Sequence, residues 1–130
     1  MLTGFYAGWL VIIFLNLTLQ VIKGRREHQI AYGYGENHEI AGIVSAHSNF
    51  VAYVPLFLIL LFSIELGQPD IPHLYLHVVA TSFVLGRLFH ARGLSKSEKS
   101  KNFGPRKLGM HLTIWPILAL ALANMLFYFL

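Results

Sequence analysis

Basic, histidine and amide side chains recur in this sequence at the ends of long apolar runs. Lys23, Arg25 and Arg26 close the first run, together with Gln20. Ser45, His47, Ser48 and Asn49 fall early in the second, Arg87 and His90 close the third, and Arg106 and Lys107 open the fourth. Arg87 and His90 are three residues apart, one helical turn, so the two could share an anionic ligand. Side chains of these types at one depth form a positive, partly desolvated pocket, which favours an anion and would favour thiolate over thiol in a bound sulfur ligand. The chain contains no cysteine, so disulfides and a cysteine nucleophile are excluded, and any thiol must come from a ligand.

Each group also has a plainer use. Loop lysines such as Lys96 and Lys99 serve as a topology signal and attract anionic lipid. Arg87 and Arg106 can snorkel to the membrane surface, and Asn49 can bond a neighbouring helix. His90 can likewise bond within the bundle. His73 and His77, four residues apart beside Asp70, have a spacing that can bind metal. Two imidazoles and one nearby carboxylate make a weak case, and no metal is expected.

The elements that must position these groups follow from composition. Of the 130 residues, 55% are apolar and 12% charged, about half the charge of a soluble domain, and mean hydropathy is +0.57. These values exclude a disordered chain and an ordinary water-soluble enzyme. The net charge of +4 and pI near 9.6 do not point to nucleic acid, because the charges are confined to short connections. Four stretches are long enough to cross a hydrocarbon core about 30 Å thick: roughly 2–22, 40–64, 71–90 and 108–130. They are read as helices, which satisfy their own backbone in lipid; none shows the alternation of a membrane strand. The first has no basic leader or cleavage pattern and is read as a retained span. The expected fold is all-α, a single integral membrane four-helix bundle over 1–130.

All ten Lys and Arg lie in or beside two connections, Lys23–Arg26 and Arg87–Lys107, and the connection between the second and third runs has only Glu65 and Asp70. Basic connections are retained on the cytoplasmic side, which places both termini on the other side. Helices two and four then begin at the cytoplasmic face, adding the positive ends of their dipoles to the pocket. Pro105 suits the first position of the fourth helix, after an Asn102-Phe103-Gly104 turn. Ala41, Ser45, Ser48, Asn49 and Ala52 form a stripe of small and polar residues, read as a packing face within the bundle or between subunits. Pro55 and Pro116 should bend their helices.

Several segments together resemble the MAPEG family, the membrane-associated proteins in eicosanoid and glutathione metabolism, and within it the small bacterial inner-membrane branch. They are Val21-Ile22-Lys23-Gly24-Arg25-Arg26 with Ala31-Tyr32-Gly33-Tyr34-Gly35, then 46–55, Gly86-Arg87-Leu88-Phe89-His90, Arg106-Lys107-Leu108-Gly109-Met110 and Ala121-Leu122-Ala123-Asn124. The resemblance implies a homotrimer with glutathione bound between subunits near the cytoplasmic face. It implies a glutathione-dependent transferase or peroxidase acting on a lipophilic electrophile that enters from the bilayer. By position, Arg106 matches the family's thiolate-stabilising arginine. Arg87 and His90 match the Arg-x-x-His of the third helix, Asn49 the second-helix asparagine, and Lys23 or Arg25 the basic group ending the first.

The sequence also departs from the family pattern. Ser45 and Ala52 stand where the second helix has arginine and glutamate, and Lys107 and Met110 where some members have serine and tyrosine. The glutamate is a natural partner for the ammonium of glutathione, so Ala52 removes it. These departures keep open a non-enzymatic reading, a trimeric membrane module for a small anion, a lipid headgroup or a partner protein. A proton-coupled multidrug exporter of similar length is disfavoured. It needs a membrane-embedded carboxylate, and Glu65 and Asp70 lie only at a boundary.

Overall fold

The computed structural model describes residues 1–68, 70–100 and 103–129, with the backbone alone described for 95–100. The side chains of Lys96 and Lys99, and all of Lys101, Asn102 and Leu130, lie outside the described residues. Four helices make up the fold: α1 (Leu2–Glu27), α2 (His38–Gly67), α3 (His73–Ser100) and α4 (Gly104–Tyr128). All four are long and apolar enough to cross a membrane, and no strand occurs among the described residues. The protein is an all-α, four-helix membrane bundle.

Every helix runs past its expected apolar stretch at the basic end, while at the other end α3 starts only at His73, after Pro72, and α4 closes at Tyr128. The α1 helix continues through Arg25 and Arg26 to Glu27, and α2 starts before its apolar run, at His38. Asn37 caps α2, its side chain accepting from the backbone N–H of Glu39 and Ile40. In the short connection between them, Gln29, Gly33 and Gly35 adopt positive φ, and Arg25 Nε donates to the Gly33 carbonyl at 3.0 Å. At the opposite end Glu65, near the end of α2, accepts from the backbone N–H groups of Leu2 and Thr3. A carboxylate therefore closes the N-terminus of α1, where helical N–H groups have no partner of their own and the dipole is positive.

The core draws on all four helices, with Leu10, Leu17, Phe57, Leu61, Leu76, Ala80, Phe83 and Leu120 buried. Phe57 and Phe83 stack with ring centroids 3.8 Å apart. The tightest approach is between α3 and α4, and glycine makes it possible. A methyl group added at Gly109 would lie 2.5 Å from the His90 nitrogen, and one at Gly93 2.7 Å from the Arg106 nitrogen. At Gly86 it would meet the Leu112 carbonyl carbon at 2.8 Å and its oxygen at 2.9 Å. Pro116 lies four residues after Leu112 and has no N–H to donate, so the carbonyl it leaves without a helical donor is the one backed by Gly86. Gly42 of α2 makes a similar approach to the Leu94 carbonyl oxygen, 2.9 Å from an added methyl.

These contacts fix an up-and-down order in which the starts of α2 and α4 and the ends of α1 and α3 share one end, the basic one. The glycine approaches hold His90, Arg106 and the Arg87 turn at that end.

Candidate anion site at the basic end

Arg87 is the centre of the site. It is 1% exposed, the largest of the fully buried side chains. Its Nη1 donates to Asn49 Oδ1 at 2.7 Å and lies 3.5 Å from the Asn49 carbonyl. The guanidinium also faces two rings, Tyr53 at 5.6 Å and Phe83 at 6.0 Å from their centroids, which adds cation–π attraction. Its Nε and Nη2 are buried and have no hydrogen-bond partner among the described residues. A guanidinium carries five N–H donors in a fixed fork suited to a carboxylate. Here one edge of that fork is engaged by a neutral amide.

Three further expected residues have definite places. Asn49 is half-buried and turned inward to Arg87, so the plainer reading of an interhelical amide bond also holds. His90 is 3% exposed, one turn after Arg87, with its backbone packed on Gly109. Arg106 is exposed, and its backbone lies against Gly93, one turn before Gly109. Two others are otherwise engaged. The side chain of Lys23 is 76% exposed and pairs with Glu27 at 3.9 Å, and Arg25 holds the connection through Gly33. Thus Asn49, Arg87, His90 and Arg106 converge, while Lys23 and Arg25 serve the α1 end within the protomer.

The stripe on α2 divides. Ser45, Ser48 and Ala52 are exposed on the protomer, Ala41 is half-buried, and of the five Asn49 is the one bonded to the bundle's cation. The buried guanidinium of Arg87 and its half-buried partner Asn49 therefore lie behind a strip of protomer surface made of small side chains. Tyr53 is a site residue that sequence reading passed over. Its signal was the four-residue spacing from Asn49, which puts both on one face. Elsewhere His47 Nε2 meets the Thr18 hydroxyl at 3.1 Å across α1 and α2, an internal role. His77 belongs to the other end, where the Tyr6 hydroxyl lies 2.9 Å from its Nδ1 and 2.8 Å from Thr81 Oγ1. No group of three or more metal-ligating side chains occurs among the described residues.

Residues 3–126 match the model of the MAPEG family. The chain belongs to the MAPEG family. Among curated relatives, the inner membrane protein YecN of Escherichia coli K12 is 26% identical over 125 residues, covering 96% of this chain and 91% of its own length. The protein of the same name from Escherichia coli O6:H1 matches equally, 26% over the same 125 residues. The four convergent residues of this MAPEG protein lie on three of its helices, so the site depends on the bundle and not on a local sequence motif.

Proposed function

We propose that this MAPEG protein is a glutathione-dependent transferase or peroxidase of an inner membrane, with its basic end cytoplasmic and both termini on the other side. The observation that carries the reading is the buried, half-engaged guanidinium of Arg87. A cation in an apolar interior costs several kcal/mol unless an opposite charge and hydrogen bonds offset it, and Asn49 supplies no charge. An anionic ligand supplies it. In this reading a glutathione carboxylate takes the open edge of Arg87, with His90 beside it. Arg106 at the mouth stabilises the thiolate, which attacks a lipophilic electrophile arriving through the bilayer. Lys23 and Arg25 exchange their intramolecular partners for the second carboxylate across a subunit boundary of a homotrimer. Stabilising thiolate by ~1.4 kcal/mol lowers its pKa by about one unit, nearly tenfold more nucleophile at neutral pH.

The test is direct. Purified protein saturated with glutathione should develop the ultraviolet absorbance of a thiolate, and Arg106→Ala should lose that absorbance while still binding the tripeptide. No absorbance in the wild-type complex would refute the mechanism. Glutathione lacking its amino group should bind as well as glutathione itself, because Ala52 offers the ammonium nothing. One observation favours a second reading, a non-enzymatic module: Ser45 and Ala52 are exposed small residues, better suited to packing than to holding a ligand. Thermal stabilisation by anionic lipid but not by glutathione would select it.

A further inference from the structure

We propose that the crevice between α1 and α3 at the basic end binds one anionic glycerophospholipid. Its phosphate would sit at Arg92 and an acyl chain would lie along the crevice floor. The crevice has a volume of about 320 Å³ and lies between the two helices that pack least extensively of those in contact. Its floor is apolar, with Ile12, Leu17 and Leu88; Asn16 and Gln20 stand on its α1 wall and Arg92 on its α3 wall. From Ile12 to Gln20 the helix rises about 12 Å toward the basic end. Polarity climbs over that distance from hydrocarbon to amide to guanidinium. A glycerophospholipid has the same order: acyl chain, ester carbonyls, phosphate.

Two features point to this ligand over others. First, Asn16 lies within an otherwise apolar span and is exposed on the protomer, as is Gln20. Gln20 Nε2 donates to Asn16 Oδ1, and each amide keeps a further N–H. Facing hydrocarbon, those donors would lack acceptors, a costly state; ester carbonyls at that depth supply them. Second, among the described residues the lining contains no carboxylate. Arginine is the side chain best shaped to bind phosphate through two parallel hydrogen bonds. The crevice is separate from Arg87, and the proposal does not depend on glutathione binding.

The experiment is native mass spectrometry of the purified full chain in neutral detergent. It is titrated with phosphatidylglycerol, with phosphatidylcholine of the same acyl chains, and with glycerol phosphate. Wild type should retain one phosphatidylglycerol per protomer, about fivefold tighter than phosphatidylcholine, the equivalent of ~1 kcal/mol for one basic side chain at an anionic surface. Arg92→Gln should abolish that preference. Ile12→Trp and Ala91→Trp, which fill the crevice from α1 and from α3, should each displace both lipids; Ile12 is exposed, so its replacement is compatible with folding. An undiminished preference in Arg92→Gln overturns the proposal, as does lipid retained by both tryptophan variants. Glycerol phosphate binding as tightly as the lipid would mean a free-anion site and overturn it too. So would tryptophan variants that lower the oligomer mass with lipid selectivity unchanged, since a second copy of the chain would then be the occupant.

Discussion

Arg87 is buried and Glu65 half-buried, and the two ionisable groups do different work. Glu65 is fully explained by the protein: two backbone N–H groups of α1 meet its carboxylate. Glu65→Ala should strand those donors and cost about 1–3 kcal/mol of stability. Glu65→Gln, which keeps an acceptor oxygen, should cost less than half of that. Thermal unfolding in a fixed detergent reads both. Arg87 is not explained by the protein alone, since Nε and Nη2 lack partners among the described residues. Among those residues Arg87 has no counter-ion to strand: its removal deprives Asn49 Oδ1 of a donor, about 1–3 kcal/mol, and relieves the desolvation of a buried charge, which costs several kcal/mol. Arg87→Met should therefore leave the Tm of the unliganded protein unchanged or raise it, while glutathione binding measured by calorimetry disappears. A large loss of stability with binding retained would make Arg87 a structural residue and sink the proposed function.

At the scale of the helix, small residues decide geometry. Gly109→Ala would force a methyl group to within 2.5 Å of backbone, and backbone cannot step aside as a flexible side chain can. The α3–α4 approach must open, at a cost of about 1–3 kcal/mol, and His90 and Arg106 move apart with it. Gly4→Ala is the control: nothing lies within 4 Å of the added methyl, and helix propensity favours alanine by about 1 kcal/mol. Gly109→Ala should lower both Tm and glutathione affinity; Gly4→Ala should raise Tm and leave affinity alone. The same scale explains what could be read from the sequence. Four spans, their order and the shared basic end were legible because hydropathy and charge are one-dimensional signals. Helix ends were less so, because Arg25, Arg26 and Glu27 continue a helix in water as readily as leucine does in lipid. Asn49, Arg87 and His90 were named as candidates. That Arg87 is sealed between α2 and α3, under Tyr53 and Phe83, depends on helix rotation, which no single span records. The clasp of Glu65 on α1 joins residues more than sixty positions apart and leaves no local trace.

For the whole molecule, the protomer leaves much of its apolar surface uncovered: only 17% of the most apolar stretch of α4 and 22% of that of α1 are buried. Lipid can cover apolar side chains. It serves Ser45 and Ser48 poorly, and these are exposed with Ala52 along one strip of α2. In the homotrimer proposed above, that strip faces the neighbouring copies. Because the chain has no cysteine, single replacements report cleanly. Ser45→Cys, Ser48→Cys and Ala52→Cys should each be oxidised in the membrane, and at least one should give a cross-linked pair. A disulfide needs Cα atoms within about 7 Å, so the position that reacts marks the closest approach. Symmetry adds a sharper expectation. A thiol on a threefold axis can pair only two of its three copies, so cross-linking should stop at two-thirds of the chains and leave one-third free. A dimer about the same strip would react to completion. If none of the three positions reacts while the mass in detergent is that of a trimer, the strip faces lipid or another partner. The buried guanidinium behind it would then have to be reached from within a single protomer.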